Sequence, residues 1–165
     1  MPARLSFLSA LALTTAVACA PPAEAPMMAG ATAADTAAIM AIRDAEIAGL
    51  AAKDTVMSYL AEDVHLLPEG EPSVHGIAAA RAWFAGFGAM FNATVSYSNQ
   101  TLVFSGDMAV ETYDALLTMT PVAGGDPMVS PSKGIHVYRK DASGNWKLAI
   151  DMWNSNAPMP AAPTP

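Results

Sequence analysis

Residues 133–156 read KGIHVYRKDASGNWKLAIDMWNSN. Two runs of alternating side-chain character flank DASGN, whose residues favour a tight turn, so the stretch predicts a β-hairpin. With Lys140 paired to Asn145, His136 falls opposite Ala149. One face of the hairpin then carries His136, Tyr138, Lys147, Ala149, Asp151 and Trp153; the other carries Ile135, Val137, Trp146, Leu148, Ile150 and Met152. Apolarity alone sends the second set to a core and the first to solvent. A hairpin with only a structural role does not need His136, Asp151 and Trp153 together on its polar side, which makes them candidates for a pocket wall.

Working upstream, ATVSYSNQTLVF (93–104) and MAVETYDALLTMT (108–120) read as two more strands around SGD, with Gly106 in the turn. PVAGGDPMVSPS (121–132) reads as a Pro/Gly loop. Before residue 92 the period changes. Ile39, Ile42, Ile47 and Leu50 recur at helical spacing, predicting a helix from a cap at Asp35 or Thr36 to about Lys53. A short second helix is expected after Asp54 or Thr55, with Val56, Tyr59 and Leu60 on its inner side. EDVHLLPEG (62–70) is a short strand stopped by Pro68 and Gly70, and a third helix runs from after Gly76 to about Phe91. Helices first and hairpin-linked strands afterwards indicate an α+β domain over residues 35–156, with a curved antiparallel sheet wrapped around three N-terminal helices.

The 165-residue chain carries a formal charge of −7, which argues against nucleic acid and against a polybasic membrane-surface patch. Residues 1–18 have the order of an export signal: Arg4, an apolar run from Leu5 to Leu13 too short to span a bilayer, then small residues. AVA before Cys19 fits ordinary cleavage, and AVAC also resembles a lipobox, with Ala16 where leucine is commonest. A lone cysteine forms no internal disulfide. The expectation is therefore a lipidated Cys19 on an exported envelope protein, a secreted or periplasmic soluble protein being the alternative. Residues 19–34 then form an Ala/Pro-rich tether, and residues 157–165 a disordered tail.

Three stretches carry a family resemblance: YLAEDVHLLPEGEPSVHG (59–76), SGDMAVETY (105–113) and the opening hairpin, the most specific. The chain resembles the nuclear transport factor 2-like superfamily over about residues 36–155, in particular its SnoaL-like and ketosteroid-isomerase-like bacterial members. The resemblance implies a cone-shaped roll around an apolar cavity, with dimers common. It implies cavity-lining roles for Trp153 and, on the third helix, Trp83, and a hydrogen-bonding role for the position of His136. It also implies an aspartate base at the end of the first strand, where this chain has HLLPEG with Pro68; His65 or Glu69 could replace it only with shifted geometry. A first-helix tyrosine has no clear match.

The expected ligand-binding set is Trp83, Tyr113, His136, Asp151 and Trp153. A histidine titrates near neutrality, and a carboxylate on the same face can orient it, so His136 and Asp151 are also the catalytic candidates. His65, His75 and His136 lie on different elements without metal-ligand spacing, and no phosphate loop or nucleophile motif is present, so neither metal nor cofactor is expected. The missing base tips the reading toward a cavity that binds a small hydrophobic ligand or a partner. The alternative is a small isomerase, cyclase or dehydratase using His136 and Asp151. A homodimer through the outer sheet face is expected from TLVF and ALLTM; sedimentation at micromolar concentration checks it, and a strict monomer contradicts it.

Overall fold

The structure is a computed structural model that describes residues 32–54 and 57–158. The expected signal, Cys19 and nearly all of the tether lie outside the described residues, as does the tail from residue 159. Helix α1 (Ala33–Ala52) starts slightly earlier than the sequence suggested, because Thr32 and not Asp35 or Thr36 is the cap. Thr32 Oγ1 accepts from the Asp35 amide and Asp35 Oδ2 accepts from the Thr32 amide, a reciprocal pair that satisfies two orphan donors. Asp35 Oδ1 takes the indole N–H of Trp146 at 2.8 Å and lies 3.0 Å from Lys140 Nζ, tying the start of α1 to the last hairpin.

The expected short second helix is not seen at 57–59. Tyr59 accepts the Leu148 amide through its carbonyl, and Leu60 begins strand β1 (Leu60–Leu67) opposite Leu148. Sheet pairing has taken a segment whose local pattern read as helical. After β2 (Val74–His75), helix α2 (Ile77–Met90) is the second of two helices among the described residues. No described helix is long and apolar enough to cross a membrane.

Four long strands follow: β3 (Phe91–Ser105), β4 (Met108–Pro121), β5 (Met128–Lys140) and β6 (Trp146–Ser155). The sheet runs β2-β1-β6-β5-β4-β3, antiparallel except for the parallel β1–β6 pair. The loop expected over 121–132 is shorter than that, since β5 begins at Met128. Pro131 lies near the start of β5, where its carbonyl accepts the amide of Asn156, just past the end of β6.

The last hairpin differs from its expected register. Lys140 pairs with Trp146, and Val137 with Ile150, leaving Ala149 as an extra residue in β6. This bulge reverses the alternation along the strand. Trp146 and Leu148 therefore share the inner side with Tyr138, and beyond the bulge Asp151 and Trp153 do so, while Met152 is exposed. His136 stands opposite Asp151, not Ala149. The core joins Ile39 and Ile42 of α1 to Val64, Leu66, Tyr138 and Leu148 of the sheet. On the outside Val103, Val110, Leu116 and Val129 stay exposed.

Candidate functional site

Register places Glu111 of β4, His136 of β5 and Asp151 of β6 side by side in one cross-strand row. Directly opposed side chains on one sheet face touch, so two acids flank a histidine. His136 Nδ1 lies 3.1 Å from Tyr138 Oη and 3.3 Å from Glu111 Oε2, and the Tyr138 hydroxyl donates to the same Glu111 oxygen at 2.8 Å. Helix α1 closes the group from above. Arg43 Nη1 is 3.1 Å from Glu111 Oε1, and Glu46 Oε1 is 3.9 Å from His136 Nε2. On its other side, His136 Nε2 faces Asp151 Oδ1 at 3.3 Å without hydrogen-bond alignment.

Two tyrosines complete the arrangement. Tyr97 donates to Glu46 Oε1 at 2.7 Å, and Tyr113 donates to Asp151 Oδ1 at 3.3 Å. The second Glu46 oxygen, Oε2, is buried and has no hydrogen-bond partner among the described residues. Burial pushes the hydroxyls of Tyr97, Tyr113 and Tyr138 upward, so all three stay protonated donors.

The cluster settles its own charges. Burial alone would strip the proton from His136, but the charges of Glu46 and Asp151 outweigh it and push its pKa up to about 10. Burial raises Glu111 too, yet the bonds from His136 and Tyr138 and the Arg43 charge hold it below the ordinary carboxylate value. For Glu46 burial dominates; the His136 charge offsets only part of it, and the pKa rises to about 7. Glu46 therefore titrates where proton transfer is useful.

Glu46, Asp151, Tyr97 and Tyr113 form the polar end of a cavity of about 310 Å³. Its opposite wall is aromatic. Trp83 stacks on Phe87 at 5.6 Å between centroids and meets Phe84 and Trp153 edge-on at 5.0 and 5.7 Å. The Trp83 indole donates to Glu71 Oε2 at 2.7 Å. Of the residues expected from sequence, Trp83, Tyr113, Asp151 and Trp153 line this cavity, and His136 lies one layer behind Asp151 and Glu46. Pro68 and Glu69 also line it. His65 and His75 pair with each other on β1 and β2, their ring centroids 4.4 Å apart.

Sequence reasoning missed Glu46, Arg43, Tyr97, Glu111 and Tyr138. Glu46 had a readable signal, because it sits four residues after Ile42 and seven after Ile39, a carboxyl on the apolar stripe of α1. Glu46, His136 and Asp151 also offer ligand atoms within 4.8 Å of one another, a donor set that linear spacing did not show. A metal bound there would have to displace the proton that the charges of Glu46 and Asp151 hold on His136.

Gly134 gives the site its shape. It sits between Tyr113 and Trp153 in the row beside His136, and a Cβ there would collide with the Tyr113 hydroxyl and the Met152 carbonyl oxygen. Only a glycine lets Tyr113 cross β5 to reach Asp151. Gly134→Ala is expected to cost about 1–3 kcal/mol, because one obstacle is backbone and cannot rotate away. A thermal melt reads the loss, and an unchanged midpoint would refute this account.

The profile of the SnoaL-like domain matches residues 44–148, most of the chain, including Glu46, Glu111, Tyr113 and His136. No curated protein matches the sequence. Among solved structures, a type 2 hexachlorocyclohexane dehydrochlorinase is similar at 21% identity and TM-score 0.69, covering 78% of this chain and 90% of the other. A nuclear transport factor 2-like protein from Salmonella enterica gives 14% and 0.68, covering 78% and 96%. A ketosteroid isomerase-like protein from Erwinia carotovora atroseptica gives 18% and 0.66, covering 77% and 100%. At such identities the likeness is one of fold. The chain belongs to the SnoaL-like domain family, and its α+β fold with a six-stranded sheet is similar to that of a nuclear transport factor 2-like protein.

Proposed function

We propose that the cavity is an acid–base site, which takes a small, largely apolar molecule against the Trp83–Trp153 wall and moves a proton on it at Glu46. Tyr97, Tyr113 and Asp151 seat the polar end of the substrate, and His136 is a positioning residue that balances the acids. The observation that carries this reading is a buried carboxyl lining an apolar cavity with one oxygen held by Tyr97 and the other unpartnered. Its acidity near neutrality supports it. So does the chemistry in the neighbours' names, since dehydrochlorination and ketosteroid isomerisation both involve removing a proton from carbon. The test is to incubate the protein in D₂O with a panel of small carbon acids and follow deuterium uptake by NMR. Uptake that depends on Glu46 is expected.

Binding without chemistry is the second reading, favoured by Pro68, which lines the cavity close to where the resemblance implies an aspartate base. Saturable binding with no exchange for any panel member would select it.

We also propose that the domain works outside the cytoplasm, anchored through a lipid on Cys19 and paired in a dimer through the exposed outer face of the sheet. Two acyl chains anchor stably where one is marginal. Mass spectrometry of the native protein is expected to show a diacyl or triacyl N-terminal Cys19, with Cys19→Ala released from membranes. An unmodified terminus removes the proposal.

A further inference from the structure

The lining of the cavity has one sign of charge. Glu46, Glu69, Glu71 and Asp151 face it, and no lysine, arginine or histidine does so among the described residues. The two nearby cations are committed behind the wall: Arg43 on Glu111, and His136 between Glu111, Asp151 and Glu46. Counted as fully charged, that buried group has three carboxylates against two cations, one positive charge short. An anionic ligand would meet only repulsion here. A neutral one would leave the shortfall to a proton on Glu46.

The remaining walls suit a cation as well. Trp83, Phe84, Phe87 and Trp153 present ring faces and edges at one end, and Tyr97 and Tyr113 meet edge-to-face at 4.9 Å beside Glu46 and Asp151 at the other. Aromatic faces attract ammonium groups through their quadrupoles, most strongly where water is excluded. The formal charge of −7 on the chain adds long-range attraction for cations. A volume of about 310 Å³ holds one ring and a short arm.

We infer that the ligand class of this cavity is a hydrophobic amine in its cationic form, its ammonium group against Glu46 and Asp151 between the two tyrosines and its apolar body on the Trp83–Trp153 wall. The inference rests on the reading of this cavity as the ligand site, and it adds the sign of the ligand's charge. An N–H of a protonated amine supplies the donor that Glu46 Oε2 lacks.

The test is a charge series on one skeleton: benzylammonium, benzyl alcohol and benzoate, titrated into the full-length protein. The three tryptophans give an internal reference, because Trp83 and Trp153 line the cavity while Trp146 is bonded to Asp35 outside it. Indole N–H shifts of Trp83 and Trp153, with Trp146 still, locate binding in the cavity. Benzylammonium is expected to bind about ten-fold or more tighter than benzyl alcohol, with no saturation by benzoate. Glu46→Gln should bring the cation and the alcohol close to parity. Benzyl alcohol binding as tightly as the cation, with the same two indoles moving, overturns the charge preference and leaves the cavity reading standing. Failure of all three to move those indoles at saturating concentration counts against both.

Discussion

Glu46→Gln is expected to abolish most proton transfer while making the folded protein more stable near neutral pH. General acid–base catalysis by one positioned group contributes about 10²- to 10⁴-fold, and the amide retains shape and hydrogen bonding without a transferable proton. The stability gain follows from linkage. The Glu46 pKa is about 7 in the folded protein against an ordinary 4.5, so between those values the folded state keeps a proton that the unfolded chain has lost. Stability is therefore fully present below about pH 4.5 and declines as pH rises through about 7, by on the order of 3 kcal/mol. Glutamine removes that decline. Thermal melts of both proteins at pH 5 and pH 7 read the effect without any substrate, and parallel losses in the two proteins would contradict it. Lost exchange with retained affinity for a neutral ligand such as benzyl alcohol separates a catalytic Glu46 from one that only binds.

Removal of His136 should have the largest effect on folding. Its side chain is 1% exposed and is the cation shared by Glu46, Glu111 and Asp151. His136→Ala leaves three buried or half-buried acids with Arg43 alone, and breaking a buried ion pair from one side costs about 3–5 kcal/mol. The folded pKa of His136 is about 10, above its ordinary 6.5, so the stability it supplies is complete below 6.5 and lost as pH rises through about 10. The wild-type protein should thus lose stability from pH 7 to pH 10. In the alanine variant the histidine's share of that slope disappears, so its deficit against wild type is largest below about pH 6.5 and shrinks toward pH 10. A variant midpoint equal to wild type at pH 7 would refute the role. If alanine does not fold, His136→Gln keeps the comparison open, since it retains bulk and a donor without the charge. Apolarity alone sends His136 to solvent, where its loss would cost little stability; its complete burial makes the cost large.

Much of the architecture was legible along the chain because its signals are local. Gly106 has φ 59° in the turn after Ser105, and Gly76, at φ 82°, precedes Ile77, the first residue of α2; both act through backbone freedom that neighbouring residues cannot alter. The apolar period of α1, the alternation of β4 and the turn of the last hairpin likewise depend on residues a few positions apart, and they carried the α+β order. Trp83 and Trp153 were readable as cavity residues through the family resemblance, and Asp151 through its place beside Trp153 on one face of the expected hairpin. What the sequence could not decide were the features set by pairing between distant segments. The bulge at Ala149 arises where β6 must match β5 on one side and β1 on the other, and both ladders shift register there. That extra residue, invisible to alternation, decides which side of β6 each residue faces and sets Asp151 opposite His136. The same β6 pairing drew Tyr59 and Leu60 out of the expected helix. Glu46 became the central carboxyl only because α1 lies across the sheet over His136. Its acidity depends on burial and on charges that reach it from three other elements, and those exist only once the chain has folded.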